Sequence, residues 1–323
     1  MINAGIAGLG RWGRILVDSV QGKSDLIKVT AGCTGRRHLT EDYCSEKGIT
    51  LYDTFDELLA DDTLDAVILA TPHGQHREQV IAAAKAGKQI FIEKPFALTK
   101  ADAEEALAAC EKAGVVCAIG HNRRFLPSMA RLRDMATSGE IGNLLHVEAQ
   151  FHADGGLKYT DDHWRASGEE SPAGGMTGLG IHSVDALISF LGPIKEVTAT
   201  SERRVLKVPI DDVTFFTMRF ESGVTGYYST CFATPRDWRI QVAGDKGWVE
   251  MRDHEKLTVS MRGGSEEVTT FDKTDIERAE LEAFARACTG GEAYPIPFSD
   301  IIHATAVLEA VVTSAKTGKT VTL

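Results

Sequence analysis

Gly8-Leu9-Gly10-Arg11-Trp12-Gly13 stands near the start of the chain, between the apolar run 2–7 and a segment whose Trp12, Ile15, Leu16 and Val20 fall on one helical face. A strand, a glycine turn and a helix in that order form the phosphate cradle of a dinucleotide-binding unit. The first glycine permits the turn, and the second lets a pyrophosphate approach the backbone. The third lets helix and strand pack closely, and the unpaired N–H groups of the helix start then face the phosphates. Bare turn glycines are the alternative, and the flanking strand and helix argue against it.

Outward from this motif, the first third of the chain alternates short apolar runs with helix-like segments. Strands are expected at 2–7, 27–33, 66–70, 89–93 and 115–120, the pattern of a parallel sheet covered on both faces. Thr99 and Asp102 open a helix that buries Ala103, Ala106, Leu107 and Cys110, and Gly114 stops it. Past Gly120 the texture changes. A helix over 127–138 leads into Leu145, Val147, Ala149 and Phe151, which alternate with polar residues as a half-buried strand does. Further alternating strands are expected at 213–220, 224–232, 238–243, 247–251 and 257–261, and a last helix at 299–316. The fold class is therefore α/β: an N-terminal Rossmann doubly wound parallel sheet over 1–121, then an α+β domain with a large, mainly antiparallel sheet over 122–323. The second domain would bind substrate and support oligomerisation, with the last helix a candidate to pack back toward the first.

Length and composition agree with two globular domains: 323 residues, 43% hydrophobic and 25% charged. A net charge of −11 works against nucleic-acid phosphate, so no nucleic-acid partner is expected. Met1-Ile2-Asn3-Ala4-Gly5-Ile6 lacks the pattern of a secretion signal, and no later apolar run reads as membrane-spanning, so a cytoplasmic protein with no membrane partner is expected. Cys33, Cys44, Cys110, Cys117, Cys231 and Cys288 are dispersed without a Cys-x-x-Cys pair, which reads as buried thiols.

At the end of the second expected strand, where an NAD enzyme usually carries an acid for the ribose hydroxyls, the chain reads Cys33-Thr34-Gly35-Arg36-Arg37. No acid lies between Asp25 and Glu41, and two guanidinium groups suit the 2′-phosphate of NADP. NADP is therefore the expected cofactor, with NAD possible and simple solvation of the loop by Arg36 and Arg37 as the alternative. Thr71-Pro72-His73-Gly74-Gln75-His76 and Glu93-Lys94-Pro95 end the next two strands, where open α/β sheets bind ligands. Lys94 there could exchange a proton with a substrate hydroxyl; taken alone, such a lysine is a solvated surface cation. The segment 153–175 interrupts the strand-helix rhythm as an active-site loop does, and His152, Trp164 and Arg165 are candidates to contact a sugar. A tryptophan anchoring that loop to the core is the alternative. His152, His163, His182 and Asp185 lack metal-ligand spacing, so no metal is expected. No Gly-x-Ser-x-Gly elbow occurs.

These motifs, with Gly120-His121-Asn122-Arg123-Arg124-Phe125, Gly139-Glu140-Ile141-Gly142, Trp164-Arg165, Gly174-Gly175 through Gly180-Ile181-His182, Gly244 and Gly247, Leu308-Glu309-Ala310 and Ser314-Ala315-Lys316, follow an order and spacing that resemble the Gfo/Idh/MocA oxidoreductase family nearly end to end. The resemblance implies hydride transfer on sugars, cyclitols or related polyhydroxylated substrates. It implies that Lys94 orients the hydroxyl and the nicotinamide ribose, that His182 acts as general acid or base, and that the two meet at the nicotinamide. It further implies cofactor contacts from Gly8, Gly10, Arg11, Trp12, Gly13, Thr34, Arg36, Arg37, Thr71, Pro72, His73, His76, Glu93 and Asn122, substrate contacts from Arg123, His152, Trp164, Arg165 and Asp185, and a cis peptide before Pro95. One departure matters. Many members carry an aspartate four residues before the histidine, and Gly178 stands there. Either Asp185, one turn after His182, substitutes, or Lys94 and His182 suffice, or chemistry has been abandoned. Two rivals stay open: a dinucleotide- and sugar-binding sensor without turnover, and glycosidic bond cleavage through transient redox by a bound cofactor. A homo-oligomer, dimer or tetramer, is expected from a sheet with one face bare of helices.

Overall fold

The computed structural model describes residues 1–323. The chain opens with β1 (Ile2–Ala7), α1 (Arg11–Val20), β2 (Ile27–Cys33), α2 (Glu41–Lys47), β3 (Thr50–Tyr52), α3 (Phe55–Leu59), β4 (Ala66–Leu69), α4 (His76–Lys85), β5 (Gln89–Ile92), α5 (Lys100–Ala113) and β6 (Cys117–Ile119). It continues with α6 (Pro127–Thr137), β7 (Leu144–His152), α7 (Ile181–Leu191), β8 (Ile194–Glu202), β9 (Val213–Phe220), β10 (Thr225–Cys231), β11 (Asp237–Gly244), β12 (Gly247–Arg252), β13 (Lys256–Met261) and β14 (Glu266–Thr270). It closes with α8 (Ile276–Cys288), α9 (Phe298–Thr317) and β15 (Val321–Thr322).

Two compact units result. The first comprises 1–97, 101–122 and 275–301, and the second 98–100, 123–274 and 302–323. Helix α8 thus belongs to the first unit, so 275–301 fall outside the second domain expected over 122–323. Six parallel strands in the order β3-β2-β1-β4-β5-β6 form the first unit's sheet, with the reversal of order between β1 and β4. β4 reads Ala-Val-Ile-Leu and is buried at every position, as a strand covered on both faces must be. Its core joins Ile6, Leu16, Val17, Val29, Ile68 and Phe91 to Leu281 and Phe284 of α8.

In the second unit, nine strands run in the order β14-β13-β12-β11-β7-β10-β9-β8-β15, with only β7 and β10 paired in parallel. Val147, Ala149, Phe151, Tyr228, Trp238 and Ile240 point inward and are buried, and α6 and α7 cover that side. His146, Glu148, Gln150, Tyr227, Arg239 and Glu250 occupy the alternate positions and are only half-buried. A π-helical turn, Met176–Gly180, feeds α7. By length and composition α9 could cross a membrane, with a mean hydropathy of 1.2, which corrects the expectation that no such run follows the N-terminus. Half of that stretch is buried inside the protein, as in a core helix.

Candidate active site

The glycine turn of the first unit is shaped from both sides. Gly8 takes φ of 95°, in the left-handed region, and a Cβ on it would lie 2.4 Å from the Ala70 carbonyl oxygen. At Gly13 a Cβ would sit 1.9 Å from the Gly8 carbonyl oxygen, so helix and strand touch there. At Gly10 a Cβ would meet nothing within 4 Å. The protein therefore requires Gly8 and Gly13 for its own packing and leaves room at Gly10 for something else. α1 begins at the next residue with no side-chain cap and no acid in its first turn, so its N–H groups and positive dipole end stay available to an anion. Trp12 is half-buried against the core.

Beside the turn lies a cavity of about 530 Å³ lined by Leu9, Gly10, Arg11, Arg14, Ile15, Asp18, Thr34, Arg36, Leu39 and Thr40. Arg36 belongs to it. Arg37 does not: its guanidinium pairs with Glu41 at 3.3 Å and with Asp53. Arg14 escaped the sequence reading, yet it sits one helical turn past Arg11 on the same face, a spacing that could have found it. Its Nε donates to the Leu9 carbonyl at 3.3 Å, a second nitrogen donates to the Leu39 carbonyl, and the guanidinium lies 4.9 Å from the Tyr43 ring centre. It fastens two walls of the cavity together. Asp18, the one acid in the lining, is paired with Lys47 at 3.0 Å. The glycine opening, the uncapped helix start and the arginine-lined cavity fit a nicotinamide dinucleotide.

At the carboxyl ends of β4 and β5 the Thr71 hydroxyl donates to Gln79 Oε1 at 2.5 Å, and Pro72 starts a 3-10 turn over His73–Gln75. His73 is buried and meets the His76 ring edge-on at 5.8 Å. His76 is wholly buried, with Nδ1 2.9 Å from the Pro95 carbonyl oxygen and Nε2 3.2 Å from that of Thr71. Glu93 is buried with Oε1 against Gly120, where an added Cβ would come within 2.8 Å. Lys94 is half-buried, its N–H donates to Glu93 Oε2 at 3.3 Å, and the Lys94-Pro95 peptide is cis. Asn122 is buried and donates to Glu277 Oε1 on α8 at 3.0 Å, a partner 155 residues away that no local pattern announces.

In the second unit the π turn and α7 present Gly178, His182 and Asp185. His182 is buried, and Arg123 donates to its Nε2 at 2.7 Å. An arginine has no lone pair to offer, so Nε2 is the acceptor, and the imidazole is the neutral tautomer protonated at Nδ1. The Arg123 guanidinium also lies over Phe151 and Trp238, 5.0 and 5.3 Å from the ring centres. Asp185, one of the alternatives for the missing aspartate, gives both carboxylate oxygens to Arg124, at 2.8 and 2.7 Å, with side chains 2% and 8% exposed. A Cβ at Gly178 would meet nothing within 4 Å, so packing does not forbid a side chain there. His152 accepts the Cys231 N–H at its Nδ1, and burial holds its pKa below the usual histidine range. Trp164 carries the Arg165 guanidinium 4.0 Å above its ring, within a stack that continues to His163 and Tyr159.

Comparison with known proteins agrees with both units. Residues 2–121 match the model of an oxidoreductase family with an NAD-binding Rossmann fold, and residues 129–250 match the GFO/IDH/MocA C-terminal domain. D-xylose 1-dehydrogenase (NADP(+)) 2 of Haloferax volcanii is 30% identical over 288 residues, 86% of this chain and 86% of that one. The chain belongs to the Gfo/Idh/MocA oxidoreductase family. Another member, scyllo-inositol 2-dehydrogenase (NAD(+)) of Bacillus subtilis, is 30% identical over 332 residues, covering 95% of this chain and 91% of its own. The solved aldose-aldose oxidoreductase of Caulobacter crescentus, complexed with glycerol, superposes with a TM-score of 0.90 at 25% identity, covering 100% and 99% of the two chains. The resemblance to this family, the α/β fold class and the assignment as an enzyme hold. The family includes both NADP and NAD users, so it supports a nicotinamide cofactor without choosing one.

Proposed function

We propose that this oxidoreductase moves a hydride between NADP and a carbinol or carbonyl carbon of a sugar, cyclitol or related polyol. The observation that carries the reading is the glycine turn left open at Gly10 beside a cavity lined by Arg11, Arg14 and Arg36. The dinucleotide, when bound, supplies the hydride acceptor or donor. Gly10 and the α1 N–H groups hold its pyrophosphate, and Thr34 and Arg36 take the 2′-phosphate, with Arg11 adding positive charge. Lys94 orients the substrate hydroxyl and exchanges its proton, and His182 serves as the second proton-handling group, at roughly 10² to 10⁴ in rate. Arg123, His152, Trp164 and Arg165 contact the substrate. Asp185, with both oxygens on Arg124, is assigned to structure instead.

Nicotinamide absorbance, followed across aldoses, cyclitols and their keto forms, tests the reaction. Lys94→Ala and His182→Ala should each lower turnover by roughly 10²- to 10⁴-fold, leaving a measurable residual rate, while dinucleotide binding stays largely intact, and near-normal rates in both would reject the roles. Arg36→Ala should weaken NADP far more than NAD; equal losses would reject the phosphate assignment.

One observation favours a second reading, a sensor that binds without turnover: the Nε2 lone pair of His182 already holds a donor. Absence both of any net change in cofactor redox state across the same panel and of glycoside cleavage would select it. The proposal extends to a homo-oligomer that covers the open face of the large sheet. That face carries Phe215, 40% exposed, beside a ladder in which Arg239 bridges Glu148 and Glu250.

A further inference from the structure

Beyond the ends of β4 and β5 the strand ladder stops. Its last bond there is the Glu93 N–H to the Leu69 carbonyl at 2.8 Å. The backbone then continues as Ala70-Thr71-Pro72 on one side and Lys94-Pro95 on the other, and a single imidazole spans them. His76 reaches the Pro95 carbonyl with Nδ1 at 2.9 Å and the Thr71 carbonyl with Nε2 at 3.2 Å. It opens α4, whose Val80, Ala83 and Ala84 are buried, so the ring stands on a fixed base. Both partners are acceptors, so the neutral ring's single N–H is assigned to the shorter contact, Nδ1 to the Pro95 carbonyl, and with no exposure the side chain offers no face to a dinucleotide.

We infer that His76 is a positioning residue for Lys94, acting through its Nδ1–H bond to the Pro95 carbonyl. The proposal rests on Lys94 handling the substrate proton. The physical argument is one of leverage. The proline ring fixes φ at residue 95, so holding that residue's carbonyl fixes the next torsion and the peptide plane that joins it to Lys94. On the other side Lys94 is held by its N–H bond to Glu93 and by the Glu93 bond to β4. The backbone from which the lysine projects is thereby held at both flanks. Displacement of a reacting group by about 1 Å can cost on the order of 10²-fold in rate, so loss of the bond should appear in turnover.

Two substitutions separate the two nitrogens. Asparagine places its amide nitrogen where the histidine has Nδ1, and glutamine places its own near Nε2. His76→Asn should keep the bond to Pro95 and retain kcat within about threefold, whereas His76→Gln should lose roughly ten- to hundredfold in kcat. Turnover is measured with whichever of D-glucose, D-xylose or myo-inositol the wild-type enzyme oxidises. Both variants should bind NADPH, followed by its fluorescence, with Kd within twofold of wild type. In a Lys94→Ala background, His76→Gln should have no further effect on the residual rate. Equal losses in Asn and Gln, or a glutamine effect that persists without Lys94, would overturn the proposal while leaving the lysine assignment intact. A glutamine variant without cooperative melting or NADPH binding would also overturn it, because the bond would then hold the domain and not the lysine. Near-normal turnover by Lys94→Ala alone would remove the lysine role, and this inference with it.

Discussion

Substituting Asp185 distinguishes a structural ion pair from a proton-handling carboxylate. Its two oxygens receive the Arg124 Nε and a terminal nitrogen at 2.8 and 2.7 Å, a bidentate arrangement between side chains 2% and 8% exposed. Asparagine keeps the size and one acceptor but removes the charge, leaving a buried guanidinium without its carboxylate. Breaking a buried pair from one side costs about 3–5 kcal/mol, a large share of the roughly 5–15 kcal/mol that holds a domain together. With a urea dependence near 2 kcal/mol per molar, 4 kcal/mol lowers the unfolding midpoint by about 2 M. Trp238 reports on the same unit, since it is fully buried and stacked on Phe151 at 5.5 Å. Urea titration by tryptophan fluorescence should therefore show the loss in Asp185→Asn, and the double variant Arg124→Met/Asp185→Leu should recover most of it, because no charge is then stranded. Stability within about 1 kcal/mol of wild type, together with collapsed kcat/KM, would refute the reasoning and return Asp185 to the chemistry.

Gly10→Ala should melt like wild type yet bind dinucleotide at least tenfold more weakly, whereas Gly13→Ala should lose roughly 1–3 kcal/mol by overpacking against the Gly8 carbonyl; calorimetry with and without NADPH separates the two. His254 has its pKa lowered from 6.5 to about 4 by burial first, then by Arg123 and Arg236, and Arg236 donates to its Nε2 at 3.0 Å. Because the folded value lies below the unfolded one, the unfolded chain takes the proton first. The stability this neutral histidine contributes is complete above pH 6.5 and is lost as pH falls toward about 4, so His254→Gln should flatten the unfolding midpoint over that interval. Arg37→Ala should leave NADP affinity within twofold of wild type, since Glu41 and Asp53 hold that guanidinium; an effect as large as that of Arg36→Ala would show that the pairing yields to ligand.

The strands that were legible in the sequence are those whose burial leaves a chemical signature. β4 is covered on both faces and reads as an unbroken apolar run, β1 and β2 are apolar runs broken only by Asn3 and by Lys28 and Thr30, and β9 alternates strictly between buried and exposed. β3 has three residues, none buried, and β14 is exposed throughout, so neither carries a hydrophobic period. β8 does carry one, with Val197 and Ala199 inward, and its signal stood in the sequence unread. Helix α8 displays apolar positions at 276, 281 and 284, but its membership of the first unit rests on a return of the chain that local pattern does not encode. The site divides the same way. Gly8, Gly10 and Gly13 follow from one contiguous motif, whereas the choice between Arg36 and Arg37 after β2 depended on where Glu41 and Asp53 would fold. Four of the six thiols are buried as expected, Cys33, Cys44, Cys110 and Cys117, whereas Cys231 and Cys288 are only half-buried; burial pushes Cys33 up to about 11, which keeps it a thiol beside the cavity.

The absence of an aspartate at position 178 acquires a physical meaning from Arg123. A carboxylate one turn before His182 would favour the protonated imidazole, whereas the guanidinium now at Nε2 can stay at 2.7 Å only while that nitrogen keeps its lone pair. In the proposed reaction a substrate hydroxyl bound at Nε2 would replace Arg123 as the donor, and any proton that His182 takes up, directly or after Lys94, would then repel the displaced cation. One outlet exists within the same unit: the rings of Phe151 and Trp238 lie under the guanidinium and would hold it after it leaves His182. If His182 handles a proton as proposed, the neutral histidine and the aromatic bed form one arrangement, in which arrival of the hydroxyl and departure of Arg123 would be the same event.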